Sequence, residues 1–140
     1  MDDNKMEVKD CELREVVGID EKESVLKVAK KLKENKERHI IVTKEDRPIG
    51  IISTTDINNR LVAEGKDANE TKADQIMTKN IMTCDISDPL AKVYFKMLHK
   101  DIYSCPVVEN GKLKATLDAK QAMNQLIKSK AKEDGGEKSS

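Results

Sequence analysis

The chain has 140 residues with 26 Lys or Arg against 26 Asp or Glu, a net charge of zero at 37% charged residues, which argues against binding nucleic acid as a generic polyanion. Aromatic residues are 2% of the chain, two Tyr and one Phe with no Trp, so a stacking platform for single strands is excluded and the core must rest on aliphatic side chains and Met. No apolar run of about 18 residues could cross a bilayer and residues 1–10 are too charged for a signal peptide, so a cytoplasmic protein is expected.

In chain order, the apolar run Val16 to Ile19 predicts a strand, and Val25, Val28, Ala29 and Leu32 follow at i, i+3, i+4 and i+7, the spacing of an amphipathic helix. The β-branched runs Ile40 to Thr43 and Pro48 to Ser53, split by the polar Lys44 to Arg47, predict a hairpin. A last helix is expected from about Thr55 to Ala63, stopped near Gly65. Residues 66–72 are polar and predict a linker. The order then recurs. Leu90, Val93, Tyr94 and Met97 repeat the helical spacing behind Asp88 and Pro89, which mark a helix start. Cys105 to Val108 and Leu113 to Leu117 flank Asn110-Gly111 as a second hairpin, and Ala119 to Lys130 predicts the closing helix. Residues 131–140 have nothing to bury and predict a disordered tail.

A shift of 65 residues superposes the halves without a gap: Asp20 meets Asp85, Val28 meets Val93, Val42 meets Val107 and Leu61 meets Leu126. Each copy reads strand, helix, strand, strand, helix, an α+β unit, with the first over 8–65 and the second over 73–130. A unit of about 60 residues buries only ~60% of its unfolded surface, so two copies packed through their sheets with pseudo-twofold symmetry are the expected architecture.

The segments Arg38-His39-Ile40-Ile41-Val42 and Pro48-Ile49-Gly50-Ile51-Ile52-Ser53-Thr54-Thr55-Asp56-Ile57 resemble the core motif of the CBS (cystathionine β-synthase) domain. With the repeat and the lead-in Asp74-Gln75-Ile76-Met77-Thr78, the chain is similar to a tandem CBS pair standing alone. The resemblance implies a regulatory ligand-sensing module without catalysis, whose inter-repeat cleft holds an adenosine-containing ligand such as AMP, ADP, ATP or S-adenosylmethionine. It also implies a homodimer and a regulated protein partner. Ser53, Thr55 and Asp56 occupy its ribose positions, Met77, Met82, Ile102 and Tyr103 its base pocket, and Arg38, His39 and Lys120 its phosphate grip.

The residues themselves allow two readings. A carboxylate at Asp56 suits a ribose diol, and the strand-to-helix turn after Ser53 aims backbone N–H groups outward. Yet Ser53 and Asp56, three apart, also fit a helix capping box, as do Asp118 and Gln121 in the second copy. There Ala115 replaces Gly50 and Gln121 replaces Asp56, so one main site per chain is expected. Arg38 and Lys120 could equally be solvated cations, and if both sites are only helix caps, as the degenerate second copy favours, a ligand-free dimerisation scaffold is the alternative function. Catalysis is disfavoured because neither His39 nor His99 stands beside a nucleophile in a recognised arrangement. Cys84 and Cys105 align with Ile19 and Ile40 and read as small buried hydrophobes, Cys11 is undecided, and no metal spacing is present.

Overall fold

The computed structural model describes residues 6–139, with side chains to residue 131. Two compact units form, one from Val16–Met82 and the other from Met1–Glu15 together with Thr83–Ser140. Each holds one three-stranded sheet with helices, a mixed α+β arrangement.

In the first unit, β1 (Gly18–Asp20) lies parallel to β2 (His39–Lys44), which turns into the antiparallel β3 (Arg47–Ser53). The helix α1 (Val25–Asn35) begins where Ser24 accepts the Lys27 N–H at 3.2 Å and ends at Lys36 in the left-handed region (φ 55°). Its apolar stripe, Val25, Val28 and Leu32, is buried with Ile19, Ile40, Val42 and Ile52, each such side chain contributing about 1.5–3 kcal/mol by leaving water. The second unit repeats the order with β4 (Cys84–Asp85), α4 (Leu90–His99), β5 (Ser104–Glu109) and β6 (Lys112–Asp118). Cys84, Cys105 and Met97 are core there, and Cys11 is buried as well. Hydrogen bonding with Cys105 and burial push the Cys84 thiol up, and burial does the same to Cys11, so these sulfurs act as apolar filling.

Proline accounts for one difference between the sheets. Ile41 donates its N–H to the Val17 carbonyl at 3.0 Å, which starts the parallel pairing at Gly18. Its counterpart is Pro106, which has no N–H, and the parallel pairing in the second unit spans only Cys84 and Asp85.

The lead-in to each repeat is built into the unit of the other. Behind β1, Val25 N–H donates to Thr71 O at 2.8 Å, Ala73 N–H to Glu23 O at 2.8 Å and Asp74 N–H to Glu21 O at 3.1 Å, ahead of and within α3 (Ala73–Ile76). Sixty-five residues away the same bonds recur: Leu90 N–H to Met6 O, Val8 N–H to Asp88 O and Lys9 N–H to Ile86 O, at 2.8–2.9 Å, around a 3-10 turn at Val8–Asp10. The stretch expected to be a polar linker therefore includes the buried Thr71 and closes the start of α1.

Three local expectations are corrected. Asp88 does not cap α4: Pro89 is the N-cap, and the Asp88 carboxylate takes the Asp85 N–H at 2.8 Å. The helix expected from Thr55 to Ala63 is α2 (Thr54–Ile57) followed by a π-turn (Asn58–Val62), in which Ala63 N–H reaches Asn58 O at 2.9 Å. The closing helix α5 (Ala119–Ser139) runs on through residues whose composition predicts a tail; once nucleated, a helix adds one hydrogen bond for each residue it fixes.

Candidate functional site

The junction of β3 with α2 is where the candidate ligand residues meet. Ser53 leaves the strand with extended backbone and caps the helix: its Oγ accepts the Asp56 N–H at 3.0 Å, and Asp56 Oδ2 accepts the Ser53 N–H at 2.9 Å. The capping box is thus formed, and it fixes the carboxylate while using one of its oxygens. Oδ1 has longer contacts, the Thr78 hydroxyl at 3.5 Å and the Arg60 Nε at 3.8 Å. An ionised carboxylate oxygen has lone pairs for two donors, so Oδ1 is the atom a diol could approach. The Asp56 side chain is 15% exposed.

The lead-in of the second repeat runs past this junction. Ile51 and Thr78 exchange both backbone hydrogen bonds, at 3.0 and 2.8 Å, which lays Met77 against β3. Gly50 makes that approach possible, since a Cβ there would come within 2.6 Å of the Met77 Sδ and 2.9 Å of the Thr78 carbonyl oxygen. Arg60, in the π-turn, donates from Nη1 to the carbonyls of Ile76 at 3.1 Å and Met77 at 2.9 Å. Met77, half-buried, is therefore held against Gly50 and the core of this unit, and its neighbour Thr78 is the residue that reaches Asp56.

Arg38 and His39 border the same junction through the backbone: Thr54 N–H donates to Arg38 O at 3.1 Å and His39 pairs with Ser53 in the sheet. Both residues are exposed, as is Thr55. Met82 ends the first unit. Ile102, Tyr103 and Lys120 belong to the second, where Ala119 N–H donates to Tyr103 O at 2.8 Å and Tyr103 is 77% exposed.

The equivalent junction in the second unit is engaged differently. Asp118, the counterpart of Ser53, receives the Arg14 fork, Nε to Oδ2 at 2.9 Å and Nη2 to Oδ1 at 3.2 Å, and the Ser104 hydroxyl at 2.8 Å. Burial raises the pKa of this carboxyl, but the Arg14 and Ser104 hydrogen bonds outweigh that and hold it below the ordinary carboxylate value. The plain capping-box reading of Asp118 is replaced by this ion pair. Three residues were missed from sequence. Arg60 carried a signal, an opposite charge four positions after Asp56 on a helix; Arg14 and Ser104 carried none, Arg14 lying 104 positions from its partner.

A family model for the CBS domain matches residues 8–63 and again 73–128. The chain is similar to a homoserine O-acetyltransferase of Methanococcus vannielii, 32% identical over 108 residues that cover 76% of this chain and 22% of that protein. An uncharacterized protein of Methanopyrus kandleri is 30% identical over 102 residues, covering 71% of this chain and 52% of the relative. The chain thus spans about half the length, or less, of these curated relatives. Among solved structures, a CBS domain protein of Pyrobaculum aerophilum complexed with AMP is similar at 26% identity and a TM-score of 0.66, over 83% of this chain and 89% of that one. An uncharacterized conserved protein of Pyrococcus horikoshii has the same fold at 21% identity and a TM-score of 0.67, over 87% and 92%.

Proposed function

Because the chain belongs to the CBS domain family, as a tandem pair, we propose that this regulatory module binds an adenine nucleotide, AMP, ADP or ATP, at the Ser53–Asp56 junction. The observation that carries this is the state of Asp56: one oxygen is pinned by the Ser53 N–H, and among the described residues the other has long contacts, 3.5 Å to Thr78 and 3.8 Å to Arg60. A pre-oriented carboxylate oxygen suits a ribose diol, and Met77, next to Thr78 in the chain, offers a polarizable apolar side chain for a purine. Ser53 and Thr55 flank the ribose, Arg38 supplies a cation for phosphate, and His39 stands beside it as a hydrogen-bonding group. Met82, Ile102, Tyr103 and Lys120 join on the family pattern alone. The similar Pyrobaculum protein holding AMP supports the ligand class. One main site per chain follows from the second junction, where Gln121 stands at the position of Asp56 and Asp118 is taken by Arg14 and Ser104. Occupancy is passed to a regulated protein partner, with two chains acting as a homodimer in the cytoplasm and no chemistry performed.

One observation favours a second reading, a ligand-free scaffold: the Ser53–Asp56 box is complete without any ligand. Calorimetric titration with AMP, ADP, ATP, S-adenosylmethionine and GTP, with Asp56→Ala in parallel, separates the two. The nucleotide proposal expects one adenine nucleotide per chain and its loss in Asp56→Ala. That variant also loses the Asp56 half of the capping box, leaving the Ser53 N–H without its acceptor while Ser53 still caps the helix, and melts earlier. The scaffold expects the melting shift and no binding by the wild type, while preference for S-adenosylmethionine would change the ligand and keep the site.

A further inference from the structure

The π-turn between α2 and Gly65 carries a residue that nothing in the ligand pattern uses. Arg60 places one nitrogen, Nη1, on two successive carbonyls, Ile76 O at 3.1 Å and Met77 O at 2.9 Å, and another, Nε, 3.8 Å from Asp56 Oδ1. It therefore touches both halves of the candidate site, the carboxylate for ribose and the backbone that presents Met77. Its own side chain is 48% exposed and adds nothing to the core. The same segment is anchored by Ile76 in the core, by Met77 against Gly50, by the paired bonds between Ile51 and Thr78, and by the long Thr78 hydroxyl contact to Asp56, so Arg60 is the side chain that ties its carbonyls to the carboxylate.

We infer that Arg60 is a positioning residue for this site, holding the backbone of residues 76–78 against the Asp56 carboxylate. The inference rests on the proposed nucleotide site. Guanidinium suits the task because its planar fork donates from separate nitrogens to two carbonyls and towards a carboxylate, whereas an ammonium offers all its donors from a single nitrogen. The π-turn matters too, since such turns insert an extra residue into a helix and recur where a side chain must be re-aimed. A ligand hydroxyl on Oδ1 shares that oxygen with Arg60 and Thr78, so binding is felt by residues 76–78, the stretch that leads out of the first unit.

The test measures AMP affinity by calorimetry and hydrogen exchange at the Thr78 amide, for the full chain and for Arg60→Ala and Arg60→Lys. Melting curves establish that each variant is folded. The Ser53–Asp56 box does not involve Arg60, so both variants retain the cap. The expected result is a wild type that binds AMP, a loss of at least tenfold in affinity in Arg60→Ala with faster Thr78 exchange in the free protein, and partial recovery of both in Arg60→Lys. Unchanged affinity in a folded Arg60→Ala overturns the inference. So does weakened affinity with unaltered Thr78 exchange, which would make Arg60 a direct ligand contact instead. If the wild type binds no nucleotide, the functional proposal falls separately; the clamp on residues 76–78 is then decided by exchange alone, supported by faster Thr78 exchange in Arg60→Ala and refuted by no change.

Discussion

The two strand-to-helix junctions share a backbone plan and use their carboxylates in opposite ways. In the first unit the acid stands at Asp56, inside the first helical turn, where one oxygen closes the cap and the other keeps only long contacts. In the second the acid has moved to Asp118, the position of Ser53, and both oxygens are committed to Arg14 and Ser104. Beside them, Gly50 admits Met77 to the edge of β3, while its counterpart Ala115 is buried with its Cβ in place. The incoming strand differs to match: Thr78 pairs with Ile51, whereas Arg14, not Leu13, pairs with Thr116, a slip of one residue from the 65-residue register. The two repeats thus share the fold, and one junction ends in a capping box while the other ends in an ion pair.

The sharpest way to break this comparison is to exchange the small residues. Gly50→Ala must push against the Thr78 carbonyl oxygen, 2.9 Å from the new Cβ, which is backbone and cannot swing aside as the Met77 thioether can. Overpacking of this kind costs about 1–3 kcal/mol, and the lower unfolded-state entropy of Ala returns only about 0.4–1. Urea denaturation should therefore show a net loss, together with weaker AMP binding because Met77 is displaced. Ala115→Gly, the reciprocal change, should cost only about 0.5–1 kcal/mol and leave AMP affinity untouched. Equal effects at the two positions would mean that the junctions are not specialised.

Most of the frame behind this comparison was legible in the sequence. The amphipathic spacing in α1 and α4, and the polar breaks between β-branched runs, are local signals, and those elements form within a residue or two of expectation. The Ser53–Asp56 box was legible for the same reason, because its partners are three residues apart. What sequence could not show depends on contacts between distant segments. Nothing local assigns α3 to the unit of the first repeat, and nothing announces that Arg14 will meet Asp118. The π-turn was also hidden, since an apolar period read over nine residues does not distinguish a helix with one wide turn from a regular one. At the ligand junction, whether Arg38, His39 and Lys120 face a phosphate is a question of side-chain direction that residue type does not answer.

The hairpin turns extend the comparison with a smaller effect. Glu45 and Asp46 both have positive φ, 51° and 67°, as do Asn110 and Gly111, 54° and 80°. Both central residues left-handed is the turn that Asn-Gly adopts most readily, and an L-residue other than Asn, Asp or Gly is strained by that geometry. Glu45→Gly should therefore stabilise the first unit by ~0.5 kcal/mol once the greater unfolded-state freedom of Gly is subtracted. Thermal denaturation checks it, and a lower midpoint would show that Glu45 has a compensating role.

The smallest effect sharpens the comparison through pH. The Asp118 carboxyl is depressed in the folded protein because, against the opposing effect of burial, Arg14 and Ser104 favour its charged form. A depressed folded value adds stability that is present above the unfolded carboxylate pKa, about 3.9, and is lost as pH falls through the folded value. Arg14→Ala should therefore lower stability at neutral pH, and the gap from wild type should close on acidification. Arg14 and Asp118 side chains are 42% and 26% exposed, so solvent screens the pair and the difference should stay within about 1 kcal/mol. Urea denaturation of both proteins at neutral pH and near pH 3 measures it. A gap that persists undiminished at the lower pH would show that Arg14 stabilises the unit by packing its aliphatic stem, and the second junction would then owe its closure to shape instead of charge.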